Sequence, residues 1–265
     1  MNGKYATRNV DSIIDEIKSM DGNGNIVYFS DDNTLSNIKR AWELSDSLKK
    51  YGVTKPFHLY ARTDTIVKHP DLFSSLKESG LFSVTVGIES FRDEELLKIN
   101  KMTSVDMNNK AIQILKQREI SINPHFIIRP EYNRSDFDDL FHYVDHNHLF
   151  KPVYAVLTPL PGTELFSHTQ DTFYLNNYDC FDFAHSVLPT TLPRKEFYFQ
   201  LFNLYKRSYT IWRFIKFKFA NRNIFTFKKH QTANTDDITL FRILLINIFG
   251  RRQAMKIKHA FRTES

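Results

Sequence analysis

Residues 82–101 read FSVTVGIESFRDEELLKINK, and their reading decides the rest. Val84, Val86 and Ile88 form a short β-branched, apolar run, the pattern of a buried strand. The chain then passes through Gly87-Ile88-Glu89-Ser90 into a helical pattern that sets Leu96, Leu97 and Ile99 on one face. Parallel α/β proteins place their ligand sites at the C-terminal ends of strands. Glu89 and Ser90 stand at such an end.

Working upstream, residues 26–29 predict a strand with Ser30-Asp31-Asp32-Asn33-Thr34 as its exit loop, followed by a helix over 36–50. Residues 57–62 predict the next strand, with Arg62 and Asp64 at its exit, and 70–79 a helix with Gly80 as C-cap. An earlier helix is capped by Asn9 or Asp11 and carries Ile13, Ile14 and Ile17 as its stripe. The Gly-x-Gly at 22–24 precedes a strand instead of joining strand to helix, so it reads as a turn and not a phosphate loop. Downstream come a helix over 105–118, a strand over 122–128 ending in Arg129-Pro130, a helix over 135–147 and a strand over 153–157.

Strand and helix thus alternate about five times, which predicts an α/β fold with parallel strands and right-handed crossovers. A full barrel needs eight such units, so the expectation is a partial (β/α) barrel over residues 1–165. From about Glu164 the pattern changes. Residues 166–265 read as an aromatic and basic, mainly helical C-terminal extension.

The composition, 42% hydrophobic and 25% charged over 265 residues, is that of a globular protein. The single cysteine, Cys180, excludes an internal disulfide and any metal centre held by several thiolates of these residues, and it suits a reducing cytoplasm. No apolar run follows Met1, so no secretory signal is read. The net charge of +6 hides an asymmetry. From Thr191 onward there are 16 Lys+Arg against 4 Asp+Glu, and before it 20 against 26. An acidic body with a basic tail suggests two functions in one chain.

Five segments, YFSDDNT, ARTDTIVKHPDL, VTVGIESFRDEELLKINKMTS, AIQILKQREI and LTPLPGTELF, occur in one order across residues 9–166. In that order and spacing the chain resembles the radical S-adenosylmethionine superfamily, closest to the class whose members carry a cobalamin-binding domain in front. YDCFDFAHSVLPTTLPRKEFYFQLFNLYKRSY is similar to the segment that follows in hopanoid C-methylases of that class. Family members hold a 4Fe–4S cluster through three cysteines spaced CxxxCxxC, and such a cluster requires thiolate ligands. The present sequence has no such spacing, and its similarity starts just after that loop. The expectation is therefore the C-terminal part of a larger enzyme, with cluster and cobalamin supplied by a missing or separate N-terminal polypeptide.

The resemblance implies S-adenosylmethionine as cofactor and assigns residues to it. Asp31 and Asp32 match the loop that receives the methionyl ammonium; as residues they also suit a helix N-cap. Glu89, with Ser90 beside it, matches the position that contacts ribose hydroxyls; alternatively it pairs with Arg92. Lys101 matches the basic group for the methionyl carboxylate, or is a solvated helix end. Arg62 either lines the pocket or pairs with Asp64. His125 lies on a strand whose FIIRPEYN ending replaces the family's Gly-x-Pro-Gly, removing the close backbone approach that glycine allows.

No catalytic residue and no metal ligand is assigned. His142 and His146 are spaced i, i+4, but without an HExxH pattern they read as a solvated helix face. Cys180 reads as a packed thiol. Residues 211–219, IWRFIKFKF, read as packing on the barrel, as an interfacial helix on an anionic membrane, or as a nucleic-acid contact. No nucleic-acid motif is recognisable. Residues 240–249 are apolar but too short for a membrane span. Three functional expectations follow: part of a radical C-methylase acting on an apolar, lipid-like substrate with an upstream partner, a non-catalytic remnant or binding module, or a basic-tail protein on membrane or nucleic acid. The location expected is cytoplasmic, peripheral at the inner membrane surface.

Overall fold

Asn9 is the residue that starts the first helix, α1 (Val10–Ser19); its side chain accepts from the Asp11 N–H at 2.7 Å. The helix buries Val10, Ile14 and Ile17, while Ile13 is only half-buried. The computed structural model describes residues 7–20, 26–53, 55–99, 101–175 and 177–220. The turn at 21–25 and the apolar stretch at 240–249 lie outside the described residues.

After α1 come β1 (Val27–Tyr28), α2 (Ile38–Lys50), β2 (Phe57–Ala61), α3 (Thr63–Lys68), α4 (Pro70–Glu78) and β3 (Leu81–Glu89). Then follow α5 (Asp93–Lys98), α6 (Val105–Gln117), β4 (Ser121–Ile128), α7 (Arg134–His146) and β5 (Val153–Val156). The later segment holds α8 (Glu164–Thr169), α9 (Arg194–Ser208) and α10 (Ile211–Ala220). The five strands form one sheet in the order β1-β2-β3-β4-β5, and the pairings β1–β2, β2–β3 and β4–β5 are parallel. Strictly sequential order is that of a (β/α) barrel; a doubly wound sheet would reverse at a switch point. The partial α/β barrel expected from the alternation is the observed fold.

Two local readings change. Residues 63–68 form a helix where the sequence predicts a strand exit loop. Its β-branched Thr63, Thr65, Ile66 and Val67 are weak helix formers. Burial of Thr63 and Ile66 overrides that preference. In α5, Leu96 is fully buried but Leu97 is 75% exposed, because neighbours on a helix sit about 100° apart and cannot share one narrow stripe.

By proximity of its backbone segments the chain divides into two compact units. In the first (residues up to 87, with 100–123), the β2–β3 register pairs His58 with Ser83, Leu59 with Val84, Tyr60 with Thr85 and Ala61 with Val86. Side chains alternate along a strand, so one face is apolar and the other carries His58, Tyr60, Ser83 and Thr85. Both ring nitrogens of buried His58 are engaged, Nδ1 with Ser83 Oγ at 2.6 Å and Nε2 with Thr85 Oγ1 at 3.0 Å. Those bonds offset the cost of burying polar groups. This polar strand face continues by parity to Gly87. Gly80 opens β3 with φ +111°, and a Cβ there would lie 2.8 Å from Lys55 O, so only glycine fits the turn.

In the second unit (88–99 and 124–220), α7 begins with a capping box of Asn133 and Asp136. It packs on α9 through an edge-on pair of Phe137 and Phe197, ring centroids 5.6 Å apart. Phe197, Tyr198, Leu201 and Leu204 are buried, so α9 of the basic extension is a packed helix. Tyr205 Oη donates to Tyr154 O at 2.8 Å and accepts from Tyr154 N at 3.1 Å, tying α9 to β5.

Candidate functional site

Four of the candidate residues belong to the first unit. Asp31 and Asp32 are exposed in the loop after β1. Asp31 Oδ1 accepts from Asn33 N at 2.9 Å, an Asx turn that holds the loop. The N-cap of α2 is Asn37, which accepts from Arg40 N at 3.1 Å, so neither aspartate serves as that cap. Between the aspartates and the helix, Asn33 Oδ1 is buried with no hydrogen-bond partner among the described residues. A buried acceptor without a donor is costly, and a ligand ammonium would satisfy it. Asn33 was not among the residues that sequence reasoning selected.

Arg62 follows β2 at the N-cap of α3 and is half-buried, with Nε bonded to Asp64 Oδ1 at 3.0 Å. Lys101 lies beyond the end of α5 in the loop to α6, half-buried, so it is a loop cation and not part of a helix end. Thr63 Oγ1 meets Thr103 Oγ1 at 2.9 Å, and Thr103 Oγ1 lies 3.4 Å from the fully buried Asn108 Oδ1. This chain of side chains ties the Arg62 exit to the Lys101 loop across some 40 positions. No spacing in the sequence reveals it.

The remaining three belong to the second unit. Glu89, half-buried, has φ +64°, and Ser90 N donates back to Ile88 O at 2.8 Å. That is a γ-turn with a non-glycine residue in the left-handed region, a strained arrangement. Glu119, His148 and Phe183 share the positive φ; the first two follow helices α6 and α7, where that conformation is the ordinary terminator, and Phe183 lies in an irregular loop. Glu89 ends a strand. Strain of this kind, of order 1–3 kcal/mol, clusters at functional sites.

Ser90 is buried, its Oγ donating to Glu95 Oε2 at 2.5 Å and accepting from Arg92 N at 3.0 Å. Its hydroxyl thus builds the turn after β3. Glu95 also accepts from Tyr132 Oη at 2.9 Å. Arg92 reaches Asp136 at 2.5 Å, Asp139 at 2.9 Å and Glu95 at 3.5 Å. Burial opposes the Arg92 charge, yet those carboxylates hold its pKa above the usual arginine range. The network fixes α5 on α7, and through Ser90 it sets the backbone that presents Glu89.

His125, half-buried on β4, is pulled below its ordinary pKa of 6.5 by burial, with the Glu89 carboxylate acting in the opposite direction. A histidine depressed in the folded state binds fewer protons than in the unfolded state as pH falls below 6.5, so its contribution to stability is present above that pH and lost below it. His125→Gln is therefore expected to flatten the loss of melting temperature between neutral and mildly acidic pH. A profile identical to the parent's contradicts this assignment.

Among the described residues, no three His, Cys, Asp or Glu side chains converge to hold a metal ion. His142 and His146 are both exposed on α7. Cys180 is half-buried in the turn Tyr178–Cys180. A cluster held by three thiolates does not fit these residues, because the sequence supplies one. No helix among the described residues is long and apolar enough to cross a membrane.

Comparison with known proteins gives a consistent family. A model described as the Radical SAM superfamily matches residues 1–144, more than half of the chain. Hopanoid C-3 methylase of Methylococcus capsulatus is 25% identical over 197 residues, 74% of this chain and 38% of that protein. Bacteriochlorophyllide d C-8(2)-methyltransferase of Chlorobaculum tepidum is 26% identical over 60% of this chain and 36% of its own length. Anaerobic magnesium-protoporphyrin IX monomethyl ester cyclase of Rubrivivax gelatinosus is 22% identical over 82% of this chain and 40% of its own. The chain thus spans about two fifths of the length of the curated relatives it matches. A solved structure of the cobalamin-dependent S-adenosylmethionine radical enzyme OxsB, with aqua-cobalamin and S-adenosylmethionine bound, aligns at a TM-score of 0.46 and 16% identity over 70% of this chain and 27% of that one.

Proposed function

The chain belongs to the Radical SAM superfamily, and from that premise we propose that its strand-end residues bind S-adenosylmethionine in a C-methylase-type enzyme. The observation that carries this reading is the extent of the family match: residues 1–144 include β1 to β4 and every one of the seven candidate residues. The methyltransferases among the relatives support the C-methylase class, and the hopanoid relative supports an apolar, lipid-like substrate.

Each residue has a stated task. Asn33, held in its loop by Asp31 and followed by the α2 start, offers an acceptor for the ligand ammonium. Lys101 and Arg62 offer cations for the ligand carboxylate, Lys101 as a point charge and Arg62 while braced by Asp64. Glu89 offers a carboxylate to the ribose diol, the same pairing that Rossmann proteins use. His125, kept neutral by burial, offers a ring nitrogen without a competing charge. Asp32, exposed in the same loop after β1 as Asn33, offers a carboxylate to the ligand ammonium. Ser90 acts behind Glu89, holding its turn.

A 4Fe–4S cluster would supply the electron for radical chemistry, and the thiolates to hold it would have to come from outside these 265 residues. Turnover therefore requires cysteines from a preceding part of the protein or from a separate polypeptide, and cobalamin, where used, comes with them. The alternative, a binding module without chemistry, predicts the same cofactor affinity and no such partner.

Calorimetric titration of S-adenosylmethionine into the anaerobic full chain tests the binding role. Saturable binding is expected, weakened about tenfold in Lys101→Ala as one charge-assisted hydrogen bond is lost. Equal affinity in parent and variant would remove Lys101 from the reading.

A further inference from the structure

Arg213 is 7% exposed, and an arginine is rarely so buried unless it is fully paired. Its guanidinium donates to Ser208 O at 3.2 Å, to Leu149 O at 2.9 Å and to the Asp145 carboxylate. It also lies over the rings of Phe141, at 5.4 Å, and Phe150, at 5.7 Å. This anchor fixes the first turn of α10 against the second unit. Ile211 and Trp212, which precede it, are 63% and 75% exposed. Lys216, one turn after Trp212, is exposed on the same side. The exposure of the tryptophan therefore belongs to a docked helix start and not to a fraying end.

The C-terminal segment that carries this face is basic in sequence. The acidic residues Asp138, Asp145 and Glu196 are each held by an arginine: Arg207, Arg213 and Arg134. Lys195, Lys206 and Lys216 are exposed. The sequence that follows α10, residues 221–265, adds 9 Lys+Arg against 3 Asp+Glu. An anionic partner is favoured. Between anionic partners, the aliphatic Ile211 decides: it offers nothing to a base or a phosphate, but with Trp212 it suits the boundary between headgroups and acyl chains. Lysine at i+4 lets the stem lie along that boundary while the ammonium stays with the headgroups.

We propose that the exposed face of α10, Ile211, Trp212 and Lys216, docks the protein on the surface of an anionic lipid bilayer. The face lies wholly on the second unit, and its docking is independent of cofactor binding.

The test uses the full chain in a Trp42→Phe background, which leaves Trp212 as the single fluorophore of its kind. Vesicles of phosphatidylcholine with and without phosphatidylglycerol are added, and emission and co-sedimentation are read. The expected result is a blue shift and sedimentation with anionic vesicles, released by salt. Ile211→Asp is expected to weaken that binding at least about tenfold with an unchanged far-UV spectrum. Binding to neither vesicle, equal binding to both, or undiminished binding by Ile211→Asp overturns the proposal. Binding to duplex DNA or RNA with no vesicle binding overturns it in favour of a nucleic-acid surface.

Discussion

Replacing Glu95 by alanine is expected to destabilise the second unit by about 3 kcal/mol, among the largest effects of any single substitution in it. The carboxylate is 8% exposed and accepts from two buried hydroxyls, Ser90 at 2.5 Å and Tyr132 at 2.9 Å. Hydrogen bonds to a charged acceptor contribute roughly 1.5–3 kcal/mol each, and deleting the acceptor strands both donors away from water. Arg92 loses less, because Asp136 and Asp139 still hold it. The cost is read from urea denaturation. A cycle with Tyr132→Phe should show strong non-additivity, since Tyr132→Phe removes a donor whose acceptor is already gone in Glu95→Ala. A loss below about 1 kcal/mol, within the range of an ordinary exposed ion pair, would mean the network is ornamental.

Glu89→Gly is expected to separate stability from binding. Glycine adopts φ +64° without a Cβ penalty, which releases about 1 kcal/mol of strain. The interactions of a half-exposed carboxylate are worth roughly the same, about 0–1 kcal/mol, and offset that gain when the side chain is removed. Stability should therefore stay within about 1 kcal/mol of the parent. Affinity for S-adenosylmethionine should fall about a hundredfold, since a diol bound by two charge-assisted hydrogen bonds is released. A large fall in stability with unchanged affinity would make Glu89 a structural turn residue.

The fold was legible because the short apolar or aromatic runs around Val27, Leu59, Val84 and Phe126 are each followed by helix-period patterns, with a last such run at Tyr154, and periodicity is a local property. The start of the first helix at Asn9 was marked by a side chain that bonds its own first turn. The α3 helix was not legible, because its β-branched residues prefer extended backbone and only burial of Ile66 reverses that. Candidate residues at strand ends came from resemblance, and their supports did not. Thr63 with Thr103 and Arg92 with Asp136 are separated by 40 and 44 positions, and nothing in the sequence pairs them. Asn33 was within reach: it stands beside Asp31 and Asp32, but an unsatisfied amide is visible only once burial is known.

The central claim, that these strand ends recognise S-adenosylmethionine, is tested most directly by titrating the full chain with S-adenosylmethionine and with methylthioadenosine. The second ligand keeps adenine and ribose but lacks the ammonium and carboxylate that Asn33, Arg62 and Lys101 are proposed to meet. The account predicts saturable binding of S-adenosylmethionine, with methylthioadenosine at least about tenfold weaker. No binding of either ligand, or equal binding of both, would contradict it.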